Sequence, residues 1–140
     1  MNVCTVGLSE HIVTSIEQFQ IKPHLVLSNI GIEREDLFVI PGGDPSELLK
    51  NDLLYKFLSS IKATGSKAAA ICAGTVLLAK AGLLEGRKYT TSLNPEEYEY
   101  FNPENFVNQN VVHDNGVVTA KGNGYVDFAL ELGKVMNIYE

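Results

Sequence analysis

The residue best placed to do chemistry is Cys72. It stands in "AAAICAGTVLLAKAG", residues 68 to 82, between an apolar run with strand character and one with helix character. Ala73 and Gly74 follow it, small residues that permit the sharp strand-to-helix turn on which a nucleophile is displayed. A helix that starts there aims its N-terminus at the sulfur, and the partial positive charge at that end favours thiolate over thiol. A second reading is equally physical: cysteine is among the most buried residue types, and "AAAICAG" can be plain core. Spacing by itself leaves both open.

The other reactive types offer less. Cys4 lies among apolar neighbours in "NVCTVGL" and reads as core. The two cysteines are 68 positions apart, which is no metal spacing of the C-x-x-C kind, and a disulfide framework is foreign to so core-rich a chain. No metal ion or organic cofactor is expected. His113 precedes an Asn-Gly turn, and the strand after it must run its length before reaching the Cys72 end of a sheet. At about 3.3 Å per residue this leaves the imidazole roughly 15 Å from the sulfur, a poor base. His11 and His24 fall in an N-terminal arm and read as ordinary surface histidines, and Glu96, Glu97 and Glu99 as a solvated face.

Composition narrows the class. At 140 residues, 45% hydrophobic and 20% charged, the chain suits one globular domain with a real core. Seventeen acidic residues against eleven basic ones give a net charge of -6, and no more than two Lys/Arg are adjacent. That argues against nucleic acid, whose affinity comes mainly from phosphate neutralisation. "MNVCTVGLSE" has no leader pattern and no run reaches the roughly 18 apolar residues of a membrane span, so a soluble cytoplasmic protein with no membrane partner is expected.

The elements that must carry Cys72 follow from period and punctuation. Residues 2 to 8 read as a strand, and "HIVTSIEQFQIKPHLVL" as two short strands of a hairpin-like arm. "DLFVI" and "KAAAI" are short continuous apolar runs, the pattern of strands buried on both faces of a parallel sheet. After Pro41-Gly42-Gly43, Asp44 can cap a short helix over "SELLK" with Pro45 at its first position. Leu53, Leu54, Phe57, Leu58 and Ile61 then recur at helical spacing between a cap at Asn51 or Asp52 and a stop at Gly65. "GTVLLAKAG" predicts a helix ended by Gly82, "YTT" a short strand, and Asn94-Pro95 a capped helical turn. Asp114-Asn115-Gly116 marks a hairpin. The last helix sets Val126, Ala129, Leu130, Gly133 and Met136 near one face, expected to pack on the sheet. Strands alternating with amphipathic helices imply an α/β fold with a mostly parallel sheet.

Three stretches together carry a family resemblance: "LFVIPGGDPSELLKND", "AAICAGTVLLAKAGLLEGRKYTT" and "DNGVVTAKGNGYVDFALELGKVM". They resemble the ThiJ/PfpI superfamily, with its class I glutamine amidotransferase-like fold, in the branch of the parkinsonism-associated protein deglycase and the ThiJ-like bacterial proteins. The likeness runs from Val3 to Met136. It implies a flavodoxin-like three-layer sandwich with a nucleophile elbow at Cys72, which becomes the reactive cysteine. It makes the backbone N–H groups of Gly43 and Ala73 the donors for an oxyanion or a sulfinate oxygen, a role preorganised amides fill well. Gly42, Gly74, Lys121 and Gly122 become site-lining residues, the last two in "AKGNG", similar to the family's S-R-G-P-G turn, with Ala120 for Ser and Asn123 for Pro.

The resemblance also implies a stress-response protein, a homodimer, acting on small reactive carbonyls or modified protein side chains by glyoxalase or deglycase chemistry. Other roles found under such sequences are a non-catalytic cysteine redox sensor or chaperone-like protein, an intracellular peptidase, and a thiazole monophosphate biosynthesis protein. Ala73 counts against the peptidase, where a histidine follows the cysteine. One departure is large. Family members open with a strand and helix of the type "KVLILLADGFEEVE", and residues 1–140 read as a single domain lacking that first βα unit. The unit carries the glutamate that shares a proton with the cysteine, and no acidic residue here maps onto it. An order of 2-1-3-4-5 would then leave residues 3 to 7 and 37 to 40 about 10 Å apart, twice the strand spacing.

Overall fold

The computed structural model describes residues 1–139 and divides into two compact units, one over Met1–Gly31 and one beginning at Ile32. In the first, β1 (Val6–Gly7) pairs in parallel with β4 (Leu25–Val26), and β2 (Val13–Thr14) pairs antiparallel with β3 (Gln20–Ile21). The hairpin-like arm is therefore present. The strand expected over residues 2 to 8 shrinks to two residues, and Cys4, expected in the core, is exposed. Two-residue ribbons have no second face to bury, so an apolar run there stays wet.

The second unit is built on a four-stranded sheet in the order β5 (Leu37–Ile40), β6 (Lys67–Ile71), β8 (Val117–Ala120), β7 (Val111–Asp114). The first three strands run parallel, and β7 closes the far edge antiparallel across the Asn115-Gly116 turn, both of whose residues have positive φ. Register sorts the side chains into two faces. Ala69 pairs with Val118 and Ile71 with Ala120, and these meet Phe128, Leu132 and Val135 of α3 (Tyr125–Val135). On the other face Phe38, paired with Ala68, meets Phe57 of α1 (Asp52–Thr64) edge-on at 4.8 Å between ring centroids. Helix, sheet and helix make three layers.

The local chemistry of α1 is as its sequence predicts. Asn51 Oδ1 accepts the Leu54 N–H at 2.9 Å, and Gly65 ends the helix at φ 69. Elsewhere the expectations need correction. "SELLK" gives only a single 3-10 turn, Leu48–Lys50, because Asp44 accepts the Ser46 N–H in a turn of its own. "YTT" forms no strand beyond one bridge, Tyr89 to Phe106. In α3 the inward stripe is Phe128, Leu132 and Val135, while Val126 and Leu130 are 57% and 48% exposed and Ala129 is exposed. Alanines at 69 and 120 leave room above the sheet that the large Phe128 ring fills, which fixes the rotation of the helix. Gly133 is buried, but against the Tyr139 ring.

Among the described residues, no helix is long and apolar enough to cross a membrane, and no three His, Cys, Asp or Glu side chains gather as a metal set.

Candidate active site around Cys72

Three parallel strands bring their carboxyl ends together, the place where open α/β sheets collect ligands. β5 runs into Pro41-Gly42-Gly43, β6 into Cys72, and β8 into Lys121-Gly122. Cys72 leaves its strand at φ 60, left-handed backbone that a cysteine rarely adopts and that costs of order 1–3 kcal/mol. A 3-10 turn, Cys72–Gly74, then leads into the six-residue α2 (Thr75–Lys80), beyond which Gly82 turns the chain away at φ 78. The side chain is half-buried.

Two glycines make room for the sulfur. A Cβ on Gly42 would lie 3.1 Å from Cys72 Cβ and 3.9 Å from Sγ, and one on Gly122 would lie 3.3 Å from Sγ. Gly43 follows at φ 132 with open space beside it, a conformation closed to most side chains. Ala73 is half-buried in the turn. Gly74 lies close against the end of β5, where a Cβ would meet Pro41 O at 2.6 Å and Ile40 Cγ2 at 3.1 Å. Gly74→Ala is therefore expected to push the β5 and β6 turns apart and to destabilise the fold by about 1–3 kcal/mol, read as a lower urea midpoint at unchanged slope.

Of the expected lining residues, Gly42 and Gly122 face Cys72 where a side chain would crowd it, and Gly74 is closely approached by Pro41 and Ile40. Lys121 supplies backbone to the third turn, while its ammonium is bound to Asn108 Oδ1 and lies 6.0 Å from the Phe106 ring centroid. His113 is engaged elsewhere: its Nδ1 pairs with Glu131 Oε1 at 2.9 Å on α3, and that bond, with Lys134 alongside, holds the Glu131 carboxyl below its ordinary range.

Sequence reasoning placed Thr119 near the site but missed three other hydroxyl residues, Thr75, Thr91 and Ser92. Cys72 O accepts from Thr75 Oγ1 at 2.8 Å, Thr75 Oγ1 meets Thr91 Oγ1 at 2.7 Å, and Ser92 Oγ accepts the Gly122 N–H at 2.8 Å. Thr119 Oγ1, on β8, accepts the Thr90 N–H at 2.9 Å. In "YTTS" the threonines carried only a strand signal, because β-branching looks the same whether or not the hydroxyl has a partner.

This arrangement sits within a recognised sequence family, since residues 1–134 match the DJ-1/PfpI family. The chain belongs to that family. It is 30% identical over 148 residues to "Uncharacterized protease YoaZ" of Bacillus subtilis (strain 168), an alignment covering 99% of this chain and 68% of the relative. It is 28% identical over 137 residues to "Glutathione-independent glyoxalase DJR-1.2" of Caenorhabditis elegans, covering 94% and 72%. The crystal structure of the thiJ/pfpI family protein from Bacillus anthracis superposes at a TM-score of 0.83 with 31% identity, covering 96% of this chain and 65% of that one. The mixed α/β architecture is thus the family's fold, and this chain spans about two thirds of the length of these three proteins.

Proposed function

We propose that this DJ-1/PfpI chain acts on small reactive carbonyls such as methylglyoxal through the Cys72 thiolate. The observation that carries this reading is the left-handed Cys72, held at the carboxyl end of the sheet with its sulfur against two glycine backbones. A cysteine that served only to fill core would gain nothing from that strain. The relative from Caenorhabditis elegans named as a glutathione-independent glyoxalase supports it.

The chemistry is nucleophilic addition. The thiolate forms a C–S bond to the aldehyde carbon, and the carbonyl π pair becomes an alkoxide that the Gly43 and Ala73 N–H groups would receive. A proton then leaves that carbon for the neighbouring one by way of an enediol, giving a 2-hydroxy thioester. Water cleaves the thioester, releasing the hydroxy acid and returning the thiol.

The exposed Cys4 provides an internal reference for a direct test. Pre-incubation with methylglyoxal should protect Cys72 from iodoacetamide while Cys4 continues to label, each followed by peptide mass spectrometry. Equal labelling of Cys72 with and without the carbonyl would sink the reading.

A further inference from the structure

We propose that Thr75 and Thr91 are positioning residues for Cys72, forming a one-way chain of hydrogen bonds that holds the elbow in its left-handed conformation. The proposal deepens the reading of Cys72 as the reactive group and rests on it.

Proton bookkeeping fixes the direction of the chain. The Leu93 N–H donates to Thr91 Oγ1 at 3.1 Å, and an amide can only donate. At the other end Cys72 O, which can only accept, lies 2.8 Å from Thr75 Oγ1. Between them the two hydroxyls are 2.7 Å apart and own one proton each. If Thr75 gave its proton to Thr91, the Cys72 carbonyl would be left with Thr91 Oγ1 at 3.4 Å, at the edge of hydrogen bonding. The arrangement that satisfies every short contact runs from Leu93 N–H to Thr91, from Thr91 to Thr75, and from Thr75 to the Cys72 carbonyl.

Both threonines are almost wholly out of water, at 0% and 2% exposure. Valine has the same shape and carries no hydroxyl to desolvate, so burial by itself gives no reason for threonine at either position. The far end of the chain is anchored. Thr90 N–H donates to Thr119 on β8, and Thr90 Oγ1 donates to Gln109 O at 2.8 Å. Ser92, next along, accepts from Gly122 N–H, whose glycine packs on the sulfur. The 90–93 segment therefore grips both the turn that carries Cys72 and the Gly122 turn beside Sγ, and a misplacement of about 1 Å at a reacting atom can cost a hundredfold in rate.

The test compares Thr91→Val, Thr75→Val, the double variant and Thr91→Ser. Iodoacetamide labelling of Cys72 is measured relative to Cys4 in the same chain, alongside the NMR Cα resonance of Cys72, which reports its backbone angles. Each valine variant should slow relative labelling by about fivefold or more, the effect expected for one typical net hydrogen bond. The double variant should be no slower than the singles, because one break empties the whole chain, and Thr91→Ser should restore the wild-type rate. The Cα resonance should move in Thr91→Val and stay in place in Thr91→Ser.

Unchanged relative labelling, additive losses, or a serine variant as slow as the valine would overturn the proposal. An unmoved Cα resonance would do so even if the sulfur did not alkylate. If a valine variant does not fold, Thr75→Ala against Thr75→Ser makes the same comparison. A wild-type Cys72 indifferent to methylglyoxal would remove the carbonyl reading and leave this comparison standing, since alkylation and the resonance need no carbonyl substrate.

Discussion

A Cys72→Ser chain is expected to consume methylglyoxal at least about a thousandfold more slowly than the wild type, while Cys4→Ser leaves the rate unchanged. Sulfur and oxygen differ little in size, and the site's shape rests on glycines at 42 and 122 and on the backbone of the turn, so the substitution leaves the fold in place. What changes is the nucleophile. A free thiol is a few per cent ionised at neutral pH and its anion is intrinsically very nucleophilic, whereas a serine hydroxyl needs an adjacent base. His113, the nearest match to such a base by type, is bound to Glu131 on α3. Steady-state consumption of methylglyoxal with circular dichroism as the folding control decides the matter. Retention of more than about a tenth of the wild-type rate would move the chemistry away from Cys72.

What could be read from residues alone follows how locally each feature is determined. Helix α1 was legible because both its ends carry their own chemistry, the Asn51 side chain on Leu54 N–H and a left-handed Gly65. The β7–β8 hairpin was legible for the same reason, since Asn115-Gly116 supplies two positive φ angles in sequence. The rotation of α3 was not, because apolar residues occur on two of its sides. The choice fell to Ala69 and Ala120, on the two adjacent strands β6 and β8, which leave the volume that Phe128 occupies. Cys4 failed in the opposite way: its apolar neighbours promised a core that a two-residue ribbon does not have.

The site divides along the same line. Cys72, Gly42 and Gly122 could be placed together because small residues at strand ends are themselves the signal for a close backbone approach. The threonines beneath Cys72 could not: Thr91 meets Thr75 across 16 residues of chain, and even the bond from Thr75 to the Cys72 carbonyl, only three residues back, is announced by nothing in a β-branched residue.

The second large effect concerns the proton that must move once the carbonyl is bound to sulfur. The ThiJ/PfpI resemblance assigns this task to a glutamate on a strand and helix for which these 140 residues hold no match. A general acid/base contributes about 10² to 10⁴ in rate. A helix N-terminus supplies about 0.3 to 1 kcal/mol of charge stabilisation, and α2 is only six residues long. Each tenfold in rate takes about 1.4 kcal/mol, so the helix falls short of even one power of ten and cannot stand in for the base. A chain extended by a family-like strand and helix should therefore convert methylglyoxal at least about a hundredfold faster than the 140-residue chain. The same extension with its glutamate changed to glutamine separates proton transfer from any effect of the added strand, and should lose most of that gain. Comparable rates in the short and extended chains would mean that a residue already present supplies the base. A glutamine extension as fast as the glutamate one would mean that the added strand acts by shaping the sheet beside β5, with the proton carried by some other group.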